Sequence, residues 1–348
     1  MIAKPALLLL ALAMAATGAA AAGTVSGAGA TFPAPIYQKW AEQYRAATGV
    51  SVNYQPIGSG GGIKQIKART VDFGASDKPM MPKDLAAAGL YQFPTVVGGV
   101  VPIINLPGAR SGLVRLSPEV LADIFLGNVR RWNAPAIAAL NPRLHLPNLP
   151  ITVVHRSDGS GTTFLFTSYL ARKSGAWAAQ VGASDAVAWP TGLGGKGNDG
   201  VAAFVKQTDG AIGYVEYAFA KQNGSVAVAL RNQAGRFVLP TAGTFASAAE
   251  SADWLHSPGN YLLLLDAPAA DAWPITGASF ILMPRRPSDG PRAREALRFF
   301  AWAYAKGDAT AHALDFVTVP ERIKQLLRRQ WAALIRADGR PVLAADAR

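Results

Sequence analysis

Ile151-Thr152-Val153-Val154-His155-Arg156-Ser157-Asp158-Gly159-Ser160-Gly161-Thr162 is the stretch that decides the fold. Ile151 to Val154 reads as a buried strand, Arg156 to Gly161 as a polar turn containing glycine, and Thr162 to Arg172 as an amphipathic helix. The unit is a strand, a turn and a helix whose N-terminus stands open above the strand end. Helix N-termini carry unpaired amides, so the turn is a place where chemistry can be done.

The same alternation runs outward in both directions. Toward the N-terminus, Pro33 and Pro35 fit a first helical turn, and Ile36, Trp40, Ala41 and Tyr44 keep helical spacing until Gly49. Val50 to Tyr54 reads as a strand, Gly58 to Gly62 as a glycine-rich loop, Ile63 to Ala68 as a short helix, and Val71 to Gly74 as a strand ending at Ala75-Ser76-Asp77. Val96 to Ile104, interrupted by Gly98-Gly99 and Pro102, reads as a strand pair or a segment crossing between domains. Toward the C-terminus, Trp189 to Gly200 is a glycine-rich loop, Val201 to Lys206 a short helix, Ala211 to Glu216 a strand and Ser279 to Met283 another. A long helix from about Pro291 to Lys306 presents Leu297, Phe300, Ala301 and Tyr304 on one face. Alternating strands and helices predict α/β layers with largely parallel sheets.

Bulk composition narrows the class. Lys4, the apolar run Pro5 to Ala16 and the small residues Ala20-Ala21-Ala22 have the order of a cleavable export signal over residues 1–22. No later apolar run is long enough for a membrane helix. The 348 residues include no cysteine, which excludes disulfides, thiolate metal sites and lipid attachment through a thiol. What remains after the signal exceeds the usual reach of one hydrophobic core, so two domains are expected. The formal net charge of +12 suits an anionic ligand or surface, or simply a basic composition. Its lysines and arginines are scattered rather than set in the dense stripe of a nucleic-acid binder.

Three segments have the form of an oxyanion cradle, with a hydroxyl beside backbone amides at a helix start: Thr31-Phe32, Ser59, and Ser160-Gly161-Thr162. Each of them also reads as a plain helix cap. Arg156 has a planar fork suited to two oxygens of one anion, with Asp158 placed to hold it; the same pair also reads as a surface ion pair. Asp77 is the unusual member, because a carboxylate repels an anion unless that anion brings a proton. A protonated phosphate can donate to it, whereas fully ionised sulfate cannot. As a strand-end residue, Asp77 also reads as the cap of the next turn.

Taken together, Gly27 to Pro35, Asn53 to Gly62, Val71 to Asp77, Arg156 to Thr162 and Gly194 to Gly200 resemble, block by block and in order, the periplasmic phosphate-binding proteins of phosphate ABC transporters, the PstS family. The resemblance implies two α/β lobes with the ligand in the cleft between them. Lobe 1 would comprise residues 23–104 and 276–348, and lobe 2 residues 105–275. It further implies inorganic phosphate held by Thr31, Phe32, Ser59, Asp77, Arg156, Ser160, Gly161 and Thr162, with Phe32 and Gly161 contributing amides and Asp158 supporting Arg156. Also implied are delivery to a membrane permease, a monomeric periplasmic protein, and no cofactor. The chain departs from the family in its charge and between about Ser225 and Ala272.

Two other classes have partial support in the sequence. A phosphate-ester hydrolase would use Ser160 as nucleophile, but Asp158 and Thr162 occupy the glycine positions of a Gly-x-Ser-x-Gly elbow, and His145, His155, His256 and His312 lack metal-ligand spacing. A dinucleotide site is suggested by Gly192-Leu193-Gly194-Gly195-Lys196-Gly197, but Trp189-Pro190 precedes it and no clean helix is expected after it. A binder of another oxyanion, such as sulfate, differs from a phosphate binder at Asp77.

Overall fold

The computed structural model describes residues 24–345, so the export signal read over residues 1–22 lies outside the described residues. Strands β1 (Thr24–Gly29), β2 (Ser51–Pro56) and β3 (Phe73–Ser76) pair in parallel, with β1 in the middle. The strand Ile275–Pro284 returns late in the chain and lies antiparallel to β3 on one side and to β4 (Leu90–Ile104) on the other. β4 then pairs antiparallel with the strand Ala211–Glu216, which is followed in parallel by Thr152–Arg156 and Leu193–Gly195. This is a two-lobed α/β architecture in which one strand is shared by both halves. The parallel pairing expected from the alternation holds in the two arms, while the middle is antiparallel because the chain crosses there and returns.

β4 explains how the halves are joined. All fifteen of its residues are buried. Its first part pairs through Gly99 with the return strand, and Val100 to Ile104 pair with Ala211–Glu216. The segment read as a strand pair or a crossing is therefore a single crossing strand. Gly98 and Gly99 mark the handover, and both are needed for packing: a Cβ on Gly99 would lie 2.1 Å from the Phe245 ring, and one on Gly98 3.0 Å from the Phe32 ring.

Helices pack against the sheet along its length. Helix α1 (Ala34–Thr48) starts on its prolines, buries Ile36, Tyr37, Trp40 and Tyr44, and stops at Gly49 in the left-handed region. The helix Gly290–Lys306 buries Leu297, Phe300, Ala301 and Tyr304, and the Phe300 ring meets Tyr37, Phe73 and Phe93 edge-on. Among the described residues no helix is long and apolar enough to cross a membrane.

Two local readings change. Helix α2 (Ser59–Lys67) begins inside the stretch read as a glycine loop. Glycine is a poor helix former, but space decides here: a Cβ on Gly62 would sit 2.5 Å from Gly29 Cα and 2.7 Å from Ala75 O. The helix Gly161–Lys173, read as amphipathic, is buried at nearly every position from Gly161 to Leu170, as befits a helix wedged between the sheet and its neighbours.

Candidate functional site

The open ends of β1, β3 and Thr152–Arg156 face one another across the cleft, and the segments singled out in the sequence lie there. Thr31 and Phe32 follow β1, where the Phe32 ring is buried against Phe316 and its backbone precedes the first turn of α1. Ser59 is the first residue of α2, after Gly58 at φ +90°, and is fully buried. Asp77 directly follows β3 and is 1% exposed. From the other half, Arg156 ends its strand at 3% exposure, Ser160 caps the helix Gly161–Lys173, and Gly161 and Thr162 supply the helix's first two amides, which have no intrahelical acceptor.

Contacts across the cleft are direct. A Cβ on Gly161 would lie 2.5 Å from Ser59 Oγ and 2.7 Å from Asp77 Oδ2, so only glycine permits this approach. The Gly60 amide donates to Gly159 O at 2.9 Å. Asn198 Nδ2 donates to Thr31 Oγ1 at 2.9 Å, and Lys78 Nζ pairs with Asp185 Oδ1 at 2.7 Å. The two halves are therefore drawn together over Ser59, Asp77 and Gly161.

Arg156 is held rigidly. Its Nε donates to Asp158 Oδ1 at 2.8 Å and its Nη2 to Asp158 Oδ2 at 2.5 Å, a bidentate pair, while Nη1 lies 3.4 Å from Thr162 Oγ1. Asp158 Oδ1 also accepts from the Gly197 amide at 3.1 Å. Burial pushes the Asp158 carboxyl up, but the Arg156 guanidinium and the Gly197 amide outweigh it and hold the group below its ordinary value. The surface-pair alternative for Arg156 and Asp158 does not describe a guanidinium this deeply buried.

Asp77 has the opposite balance. Burial drives its carboxyl from an ordinary value of 3.8 up to about 7, against donation by Ser279 Oγ to Oδ1, the positive charge of Arg156, and Ser59. Ser59 Oγ accepts from the Asp77 amide at 3.2 Å and lies 3.4 Å from Oδ2. An acceptor facing fixed neutral donors and one guanidinium suits a tetrahedral anion that carries a proton.

Ser160 Oγ accepts from the Thr163 amide at 3.0 Å, which is the capping role; its hydroxyl proton stays free to donate. His155 stacks on Trp189 at 4.7 Å and its Nδ1 lies 3.1 Å from Arg156 O, so one face of the ring and one of its nitrogens are already engaged. Burial lowers its pKa. Among the described residues no three His, Cys, Asp or Glu side chains gather to hold a metal ion.

Sequence reasoning missed four contributors. Ser279 binds Asp77; Tyr214 accepts from the Arg156 amide at 3.2 Å and shares a 2.6 Å bond with Thr163; Asn198 and the Gly197 amide reach Thr31 and Asp158. A serine heading the apolar run Phe280 to Met283 was the available signal, since a buried hydroxyl needs a partner. The stretch read as a glycine-rich loop contains the short strand Leu193–Gly195 followed at once by the helix Gly197–Gln207, contrary to the expectation that no clean helix follows it. Gly197 at φ +70° makes that abrupt start, and the helix leans on Thr31 and Asp158.

Comparison with known proteins agrees with this layout. A model described as a PBP superfamily domain matches residues 14–306. The chain is 50% identical over 320 residues to the phosphate-binding protein PstS of Pasteurella multocida, covering 92% of this chain and 93% of that protein. It is also 50% identical over 312 residues to PstS of Haemophilus influenzae, covering 90% and 93% respectively. The fold matches a phosphate-binding protein from Stenotrophomonas maltophilia with a TM-score of 0.71 at 19% identity, over 94% of this chain and all of that one. The sequence blocks, the shared crossing strand and this similarity along the length of the chain lead to one conclusion: the chain belongs to the PstS family of phosphate-binding proteins.

Proposed function

We propose that this protein captures inorganic phosphate in the cleft between its lobes and delivers it to the membrane permease of a phosphate ABC importer. The observation that carries the reading is the buried carboxylate of Asp77, facing Gly161 and the guanidinium of Arg156. In this reading Thr31, Ser59, Ser160 and Thr162 donate hydroxyl protons, the amides of Phe32, Ser59, Gly161 and Thr162 donate to the remaining lone pairs, Arg156 supplies the one full positive charge, and Asp77 accepts the ligand's own proton. Donors in a water-poor cleft act more strongly than in solvent. The lobes would be residues 23–104 with 276–348, and residues 105–275.

The protein is exported by its N-terminal signal, acts in the periplasm as a monomer, needs no cofactor and performs no catalysis. In support of binding over hydrolysis, Ser160 caps its helix and the nearby imidazole, His155, is stacked on Trp189. Isothermal titration of the purified mature chain with phosphate tests the reading. One phosphate per chain is expected, with binding weakened in both Arg156→Ala and Ser160→Ala; unchanged affinity in both variants would move the site elsewhere.

A further inference from the structure

Asp77 does not choose its own orientation. The return strand carries a β-bulge against β4: Ser279 is opposite Val96 while Phe280 is opposite Pro94, so Thr95 is the extra residue. A bulge re-aims the side chains beside it. Here Thr95 Oγ1 donates to Ser279 O at 3.1 Å and shares a 2.6 Å bond with Tyr37 OH. The Ser279 hydroxyl then donates to Asp77 Oδ1, and Tyr37, Thr95, Ser279 and Asp77 are all at most 2% exposed. Oδ2, the other oxygen, is the one beside Gly161 and Ser59.

We propose that Ser279 is a specificity-determining residue of the phosphate site: by occupying Asp77 Oδ1 it holds the side chain as an accepting carboxylate whose Oδ2 faces the anion, so that an oxyanion bearing a proton is preferred to one without. Ser279 touches no anion in this scheme and acts through Asp77. The inference rests on the site proposed above.

The charged and titratable groups around Asp77 leave Ser279 a decisive share. Arg156 favours the ionised form from across the cleft. The phenols of Tyr37 and Tyr54, and the carboxyl of Glu216, are each pushed up by burial and the nearby Asp77 charge adds to that rise; groups of this type are neutral or anionic, so none of them favours the ionised form of Asp77. Glu216 is itself turned to its own helix start, where Oε2 accepts from the Ala218 amide at 2.8 Å. Removing the Ser279 donor lets Asp77 keep a proton to higher pH. A protonated Asp77 is a donor, which suits sulfate as well as phosphate.

The test is competition between labelled phosphate and sulfate in equilibrium dialysis from pH 6 to 9, on the wild type, Ser279→Ala, Ser279→Cys and Asp77→Asn. For Ser279→Ala the phosphate-to-sulfate preference at pH 8 should fall by about tenfold or more, the scale of one hydrogen bond to a charged group, and the pH at which sulfate begins to compete should move upward. Ser279→Cys, a weaker donor of similar shape, should lie between, and it provides the reading if the alanine variant does not fold. A uniform loss for both anions, or a wild-type preference and pH profile in the Ser279 variants while Asp77→Asn loses discrimination, overturns the role of Ser279 and leaves the site intact. If Asp77→Asn also discriminates as the wild type does, the site reading fails first.

Discussion

Gly161 Cα lies so close to Asp77 that a methyl group on it would fall 2.7 Å from the carboxylate Oδ2 and 2.6 Å from its Cβ. The two residues belong to opposite halves of the molecule, so this contact is where the cleft shuts. A side chain at residue 161 therefore opposes closure itself.

Gly161→Ala is expected to weaken phosphate binding by about ten- to a hundredfold, the scale of an overpacked contact, while leaving the fold unchanged. Small-angle scattering should show compaction with phosphate in the wild type and little or none in the variant. Equal compaction in both would mean that the halves meet differently.

Arg156, fully enclosed, and Asp158, partly enclosed, form a bidentate pair at 2.5–2.8 Å, and removing one partner of such a pair strands the other. Arg156→Ala should cost about 2–5 kcal/mol of phosphate affinity, at least a thirtyfold loss in titration calorimetry. Circular dichroism checks that the loss is not unfolding.

Lys78 and Asp185 join the halves at 2.7 Å with Phe164 beneath the ammonium, at a partly exposed rim. The pair is a latch rather than a ligand contact, and its worth is limited by solvent screening. Lys78→Met should raise the phosphate dissociation rate about two- to fivefold in stopped-flow measurements, and the difference from the wild type should shrink in high salt. An unchanged rate at low salt would remove the latch.

Asp77 also links pH to stability. Its folded value is raised to about 7 from an ordinary 3.8, so between those limits the folded chain holds a proton that the unfolded chain has lost. The contribution of this group is greatest below pH 4, declines as pH rises, and is level above pH 7. Asp77→Asn has no charge to bury, so the unliganded variant should gain on the wild type between pH 4 and pH 8 by an amount of up to about 4 kcal/mol. Denaturant unfolding at both pH values measures it; a constant difference would place the carboxyl in a wetter setting.

Much of this was legible in the sequence because the signals were local. Proline at the start and glycine at the end bounded α1, and the strand, turn and helix around Arg156 could be read from apolar runs and a capping serine. What escaped was decided at a distance. The helical start at Ser59 depends on Gly62 meeting Gly29 and Ala75, and the single crossing strand depends on Phe245 and Phe32 filling the space left by Gly99 and Gly98. Ser279 reaches Asp77, 202 residues earlier in the chain, through a bulge that no periodicity announces.

Everything proposed for the cleft depends on Asp77 accepting a proton carried by the ligand. Equilibrium dialysis of labelled phosphate at pH 8 against a large excess of sulfate tests it most directly. The wild-type protein should keep its phosphate, and Asp77→Asn should give up much of that preference. Displacement of phosphate by sulfate from the wild type, as readily as by unlabelled phosphate, would contradict it.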